Sequence, residues 1–113
     1  MTRILAVIVL ALSPLGSLQA NCIQNQYGDV VCGAGQCEKD QYGKVFCARA
    51  GGGALRGKYG KVLCGTGFCA RNRDSAVWCS TVPGGGAAVD AYGEVKCLGG
   101  CEPGTAERCE EGR

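Results

Sequence analysis

Ten cysteines are the residues of this 113-residue sequence with the greatest capacity for chemistry. A thiol can act as a nucleophile, exchange with a disulfide, bind a metal or form a structural bridge. Thiol catalysis is disfavoured because the chain has no histidine that could activate the nucleophile. Redox catalysis is disfavoured because no Cys-x-x-Cys motif occurs. The even number and high density of cysteines predict a disulfide scaffold instead.

Other reactive constellations are missing from the sequence. Zinc ribbons need paired Cys-x2-Cys knuckles and haem attachment needs Cys-x-x-Cys-His, and neither motif is present. Ser75 and Ser80 do not stand in a Gly-x-Ser-x-Gly motif, and the Gly-Gly-Gly stretches lack the Lys-Ser/Thr of a phosphate loop. We therefore expect no enzymatic activity, no catalytic residue, no cofactor and no metal site.

Residues 1–20 have the layout of a secretory signal peptide. Arg3 provides a positive start, Ile4 to Leu12 is an unbroken apolar run, and Ala20 is a small residue suited to cleavage. The run is shorter than the roughly 20 residues that a membrane-spanning helix needs; an uncleaved anchor or core helix is the alternative. We predict a secreted or periplasmic protein, cleaved near Ala20 and without membrane attachment afterwards. The net charge of +2, or +1 without Arg3, gives no reason to expect nucleic-acid binding.

The rest of the chain, 21–113, repeats one phrase and is predicted to form a single domain. CIQNQYGDVVC and CEKDQYGKVFC are the first two of five copies, each with valine two positions before the closing cysteine. A longer period of 32 residues relates CGAGQC to CGTGFC and one Gly-Gly-Gly-Ala stretch to the next. Such a pattern indicates stacked supersecondary units. The predicted units lie near 22–32, 37–47, 54–64, 69–79 and 87–97, followed by a C-terminal loop at 101–109.

The phrase has the turn chemistry of a β-hairpin. Four copies open with Asn or Asp, which favour the first position of a type I turn, and four contain Tyr-Gly. A type I turn followed by a left-handed glycine is a common three-residue hairpin loop. With Gln26-Tyr27-Gly28 as the loop, Cys22 falls directly opposite Cys32. The sequence thus predicts a small, all-β, disulfide-rich fold of about five tandem hairpins with Asx-x-Tyr-Gly turns and Gly-rich connectors.

This register also predicts disulfide pairs. It favours Cys22–Cys32, Cys37–Cys47 and Cys69–Cys79, each within one hairpin. The remaining cysteines have no hairpin partner, and for them we predict Cys101–Cys109 around a Glu-Pro-Gly turn and Cys64–Cys97 between successive units. A rival scheme pairs Cys32–Cys37 and Cys64–Cys69 across the Gly-rich corners. We expect reduction to unfold the protein, because each eleven-residue hairpin loop closed by a disulfide contributes roughly 3 kcal/mol.

Two sets of aromatic and apolar residues are candidates for binding. The first is the row of turn tyrosines, Tyr27, Tyr42, Tyr59 and Tyr92, which could stack on sugar rings or anchor a protein partner. Our preferred interpretation is that each tyrosine folds back over its own turn. The second is a strip on the outer face of the second strands, Phe46, Leu63 and Trp78, which either packs between hairpins or meets a partner.

Two functional classes follow from these features. The first is a structural or protein-interaction role at the cell surface, in the periplasm or in the extracellular space, with self-association as one form of it. The alternative is a secreted binding effector, such as a glycan-binding module, an inhibitor or a small toxin, that uses the hairpin-tip tyrosines.

Overall fold

The computed structural model describes residues 21–113, so the predicted signal peptide lies outside the described residues. This part of the chain is almost entirely β-structure, in twelve short strands with one 3₁₀ helix at Ala106–Arg108. The first ten strands form five antiparallel hairpins, here numbered 1 to 5 in chain order. The strands are β1 Cys22–Gln24, β2 Val30–Cys32, β3 Cys37–Lys39, β4 Val45–Ala48, β5 Ala54–Arg56, β6 Val62–Cys64, β7 Cys69–Arg71, β8 Val77–Ser80, β9 Ala87–Val89, β10 Val95–Cys97, β11 Cys101–Pro103 and β12 Cys109–Glu111.

The predicted hairpin register is confirmed. Cys22 lies opposite Cys32, Cys37 opposite Cys47 and Cys69 opposite Cys79. All three pairs are disulfides with Cα–Cα distances of 3.9–4.0 Å. The small, disulfide-rich, all-β repeat predicted from the phrase is therefore the fold of residues 21–113.

Four of the five hairpin turns are held by the side chain of the opening residue; the third turn opens with Gly57. Oδ1 of Asp40 accepts hydrogen bonds from the amides of Tyr42 and Lys44, at 2.9 and 3.0 Å. Asn25, Asn72 and Asp90 make the same pair of bonds in their own turns. The third loop residue then takes a positive φ, +84° to +89° at the four glycines of the Tyr-Gly turns. Only glycine adopts this conformation without a steric penalty, which explains the Tyr-Gly phrase.

The glycines of the corner motifs serve close packing instead. A Cβ built on Gly33 would meet the Cβ and Sγ atoms of Cys47, and one built on Gly65 would meet those of Cys79. The first glycine of each corner motif, Gly33 or Gly65, therefore lies directly on the disulfide of the following hairpin. This contact recurs with the 32-residue period and explains why the two repeated motifs, CGAGQC and CGTGFC, both have glycine directly after the first cysteine.

The core is thin and consists of small side chains. Buried residues include four cysteines (Cys37, Cys47, Cys64 and Cys79), three valines, two alanines and Ser80. One buried cluster joins Ala48 to Ala54, Val62 and Cys64, and Phe46 and Cys109 pack against it. Neighbouring hairpins therefore share apolar residues, as expected for units that are too small to be stable alone.

The C-terminal segment is a strap and not the predicted loop. After hairpin 5 the chain runs back along the stack: β11 pairs with β8 of hairpin 4, and β12 pairs with β4 of hairpin 2. Between them Thr105 forms an isolated bridge with Cys64 of hairpin 3. Arg113 then exchanges two backbone hydrogen bonds with Cys32 of hairpin 1, at 2.8 and 2.9 Å. Residues 101–113, here called the strap, thus join four hairpins in reverse order.

The strap changes two of the predicted disulfides. The structure pairs Cys64 with Cys109 and Cys97 with Cys101, in place of Cys64–Cys97 and Cys101–Cys109. Cys64 and Cys97 belong to hairpins 3 and 5, which are separated by hairpin 4, so their Cα atoms cannot come within the roughly 7 Å that a bridge requires. The rival corner pairs, Cys32–Cys37 and Cys64–Cys69, do not form either. No cysteine among residues 21–113 is free.

Candidate functional site

The four turn tyrosines point into solvent. The exposed fractions of Tyr27, Tyr42, Tyr59 and Tyr92 are 77–80%. The expectation that each ring folds back over its own turn is therefore wrong. In three turns the space beside the glycine is occupied by another residue: the side chains of Gln26, Gln41 and Arg73 lie against Gly43, Gly60 and Gly93 of the following hairpin.

These contacts belong to a hydrogen-bonded row of hairpin tips. The amide of Gln26 donates to the carbonyl of Gly43 at 3.0 Å, and the amide of Gln41 donates to the carbonyl of Gly60 at 2.9 Å. Tips 1, 2 and 3 are thereby fixed side by side, and each carries an exposed tyrosine. The amide of Arg73 makes the same bond to Gly93, which joins tips 4 and 5.

The row is interrupted between tips 3 and 4. The equivalent bond would run from the Lys58 amide to the Ser75 carbonyl, and it is absent from the backbone bonds of residues 21–113. Ser75 replaces the glycine at this position and is the one non-glycine residue with positive φ, +69°, in the described part of the chain. At the equivalent position of the other bonded tips, a glycine lies against the side chain of the neighbouring hairpin. The sequence departure Asp74-Ser75 therefore coincides with a structural break.

A cleft of about 310 Å³ lies between hairpins 3 and 4, beside this break. Hairpin 3 contributes Tyr59 and Leu63 to its walls, and hairpin 4 contributes Trp78. Pro103 of the strap borders it as well. The base stays closed, because the Gly53 amide donates to the Gly67 carbonyl at 2.8 Å. We call this feature the tip cleft; it is lined by Gly57, Lys58, Tyr59, Lys61, Leu63, Ser75, Ala76, Val77, Trp78, Pro103 and Gly104.

The tip cleft brings together two predicted candidates and leaves others outside. Leu63 and Trp78, both half-buried, lie in it together with Tyr59. Phe46 does not, because it packs on the core between hairpins 2 and 3, with Lys44 Nζ 5.5 Å from its ring centroid. The surface strip is thus divided into one packing residue and two cleft residues.

Electrostatics distinguish the tip cleft from the hollow between hairpins 1 and 2. Lys58 and Lys61 line the cleft, and neither takes part in the ion pairs found among residues 21–113. Lys58 Nζ lies 5.4 Å from the centroid of the Tyr59 ring. The hollow between hairpins 1 and 2, of about 340 Å³, contains Lys44, but that lysine pairs with Glu111 at 3.3 Å. The tip cleft therefore combines apolar walls with uncompensated positive charge.

Sequence reasoning missed the role of Lys58, Lys61 and Pro103 in this site. The available signal was the single departure from Tyr-Gly at Asp74-Ser75, which marks the position of the break. No group of three or more histidine, cysteine or acidic side chains among residues 21–113 is arranged to hold a metal ion. Within the same residues, no helix has the length and apolar character of a membrane span.

Comparison of the chain with protein-family models, curated proteins and solved structures finds no match. The functional assignment therefore depends on the geometry described above. Five disulfides in a small β-protein are compatible with an extracellular or periplasmic location, where such bridges persist.

Proposed function

We propose that this chain is an exported interaction protein that presents tyrosine side chains to a protein partner from a disulfide-stabilised scaffold. The observation that carries the proposal is the exposure of all four tyrosines, at 77–80%. Tyrosine combines a large apolar ring with a polar hydroxyl and is enriched among residues that dominate protein interfaces.

The scaffold suits this role because it fixes the tyrosines before binding. Tyr27, Tyr42 and Tyr59 stand on three adjacent tips that are joined by backbone hydrogen bonds. Each tip is closed by an Asx turn or a left-handed glycine, and two of the three hairpins carry a disulfide across their strands. A rigid row loses little conformational entropy on binding, so more of the contact energy appears as affinity.

A second candidate is glycan binding by the same tyrosines. Exposed aromatic rings at repeated positions can stack on sugar rings, and Tyr92 extends the set beyond the three joined tips. This candidate differs from the first in the chemistry of the partner and not in the residues that make the contact.

The test is site-specific crosslinking in the organism that makes the protein. A photoreactive phenylalanine analogue replaces Tyr42 in one variant and the exposed Lys96 of hairpin 5 in a control. The proposal expects a discrete protein adduct at position 42 that is absent at position 96, and its loss when Tyr27 is changed to Ser. A glycan array is probed in parallel with wild type and with Tyr27→Ser/Tyr42→Ser. Array binding that needs the tyrosines, without a protein adduct, would favour the second candidate. If neither an adduct nor array binding is observed, both candidates are overturned.

A further inference from the structure

We infer that the tip cleft is a binding site for a small planar aromatic anion, such as an aromatic carboxylate. This site shares Tyr59 with the tyrosine row but takes a different ligand, and its test does not involve Tyr27 or Tyr42, so either proposal can fail alone. Three observations carry the inference: the shape of the cleft, the charge at its rim and the local departure from the repeat, which leaves the Lys58 amide without a tip-to-tip hydrogen bond.

The shape fits a flat apolar group. One wall carries Tyr59 from hairpin 3 and the opposite hairpin contributes Trp78, with Leu63 and Pro103 completing an apolar lining. Aromatic rings favour offset-stacked or edge-to-face contacts with other rings. The volume of about 310 Å³ is at the lower end of the range for small-molecule sites, which excludes a bulky ligand.

The charge at the rim selects an anion. Lys58 and Lys61 are the charged residues of the lining, and no aspartate or glutamate lies among the described residues that form it. Neither lysine has an acidic partner within the described part of the chain. In addition, the Lys58 amide lacks the tip-to-tip bond of the other hairpins and is available as a donor. A carboxylate at the cleft mouth would satisfy these three groups together.

Hairpin 4 departs from the repeat at the tip that borders the cleft. At the other tip contacts a glycine accepts the neighbouring residue, as Gly43 accepts Gln26. Ser75 has a Cβ where that contact would form, and it keeps a positive φ of +69° that costs roughly 1–2 kcal/mol in a residue other than glycine. Retaining an unfavourable residue at this one tip is consistent with a function for the opening.

The experiment uses the NMR signal of the only tryptophan in the protein, Trp78. The oxidised, ¹⁵N-labelled protein is titrated with 2-naphthoate and, separately, with the uncharged isostere 2-naphthamide. We expect a saturable shift of the Trp78 indole N–H signal with both probes. The anion should bind about fivefold more tightly than the amide, because two exposed charge interactions contribute roughly that much. An indole signal that does not move up to the solubility limit of naphthoate, or equal affinity for the two probes, would overturn the inference.

Matched variants assign the effect to the cleft. Lys58→Gln/Lys61→Gln should abolish the preference for naphthoate, whereas Lys44→Gln/Lys96→Gln, with the same change in net charge outside the cleft, should keep it. Ser75→Gly should allow the tip-to-tip bond to form and protect the Lys58 amide from exchange, and it should weaken naphthoate binding at least fivefold because this donor is no longer available to the ligand. Loss of the preference in the control pair, or full binding by Ser75→Gly with a protected Lys58 amide, would contradict the proposal. If Ser75→Gly does not fold, the two lysine pairs decide alone.

Discussion

Cys64 of hairpin 3 is bonded to Cys109 of the strap, 45 positions later in the chain, with the two Cα atoms 5.3 Å apart. Cys64 also exchanges two backbone hydrogen bonds of 2.9 Å with Thr105 of the strap. This bridge closes the longest loop among the five disulfides, whereas Cys97–Cys101 closes the shortest, with a separation of 4. The strap therefore depends on one long-range covalent link.

The loop lengths predict a ranking of the disulfides. In the chain-entropy model, removing the long bridge with Cys64→Ala/Cys109→Ala should cost about 4 kcal/mol of unfolding free energy, and Cys97→Ala/Cys101→Ala about 2 kcal/mol. Denaturant unfolding of both variants checks the order. Peptide mapping of the unreduced protein checks the pairing directly, and a fragment containing Cys64 linked to Cys97 would contradict the structure.

The tip contacts predict different costs for two glycines with nearly the same conformation. Gly28 and Gly43 have φ of +86° and +85°, but a Cβ on Gly28 meets nothing within 4 Å, whereas one on Gly43 lies 2.6 Å from Gln26 Cβ. Gly28→Ala should therefore lose only the roughly 1–2 kcal/mol of the left-handed conformation. Gly43→Ala should lose more, because the tip-to-tip hydrogen bond must also shift. Equal unfolding free energies for the two variants would show that the tip row does not stabilise the stack.

The corner glycines predict a severe effect without any left-handed backbone. A side chain on Gly65 would meet Cβ and Sγ of Cys79, both buried, whereas Gly86 is exposed and has open space around it. Gly65→Ala should destabilise by about 1–3 kcal/mol through overpacking, and Gly86→Ala should be close to neutral. Thermal unfolding of the two variants under non-reducing conditions is the measurement. A Gly65→Ala protein as stable as Gly86→Ala would mean that the corner does not pack on the disulfide.

The attachment of the strap to hairpin 3 should weaken in acid. Glu102 Oε2 accepts hydrogen bonds from the Thr66 hydroxyl at 2.9 Å and the Thr66 amide at 3.2 Å, and lies 3.5 Å from Arg108 Nε. The Thr66 hydroxyl, its amide and the Arg108 charge lower the pKa of Glu102. A carboxylate with a lowered pKa adds stability above its unfolded pKa of about 4.3, and this stability disappears as the pH falls through the folded value.

Two glutamine variants isolate this contribution. Glu102→Gln should be less stable than wild type at pH 7. The difference should begin to shrink near the unfolded pKa of about 4.3 and vanish only at a pH below the lowered folded pKa, where both proteins are neutral at this position. Glu107→Gln is the control, because Glu107 is exposed and forms no ion pair among the described residues. The measurement is the unfolding midpoint from pH 7 to pH 2. A gap between wild type and Glu102→Gln that stays constant across this range would refute the assignment.

The hairpins could be predicted from the sequence because every interaction that defines them is local. Asp40 accepts from the amides two and four positions later, and Cys37 pairs with the cysteine ten positions later. The turn chemistry and the strand alternation are therefore both visible within one eleven-residue phrase. The five copies reinforce the pattern.

The strap could not be predicted because its contacts are long-range and its sequence is outside the repeat. Arg113 bonds Cys32 across 81 positions, and nothing in the C-terminal sequence indicates that pairing. Unless the pairing of the strap is known, nothing in the sequence places Cys109 near Cys64. The short spacing between Cys101 and Cys109 therefore favours a predicted bridge between those two cysteines. The tip cleft was missed for a related reason, since it depends on how hairpins 3 and 4 stack as well as on Ser75.

The strap also sets an order of assembly. A chain that crosses a membrane N-terminus first can oxidise Cys22–Cys32, Cys37–Cys47 and Cys69–Cys79 as each hairpin emerges, because the partners are only ten positions apart. The link between hairpin 3 and Cys109 must wait for 45 further residues, and the edges of hairpins 1, 2 and 4 remain uncovered until then. Oxidative folding of this protein is therefore a two-stage process, in which separate stapled hairpins form first and the last-made segment fastens them into one body.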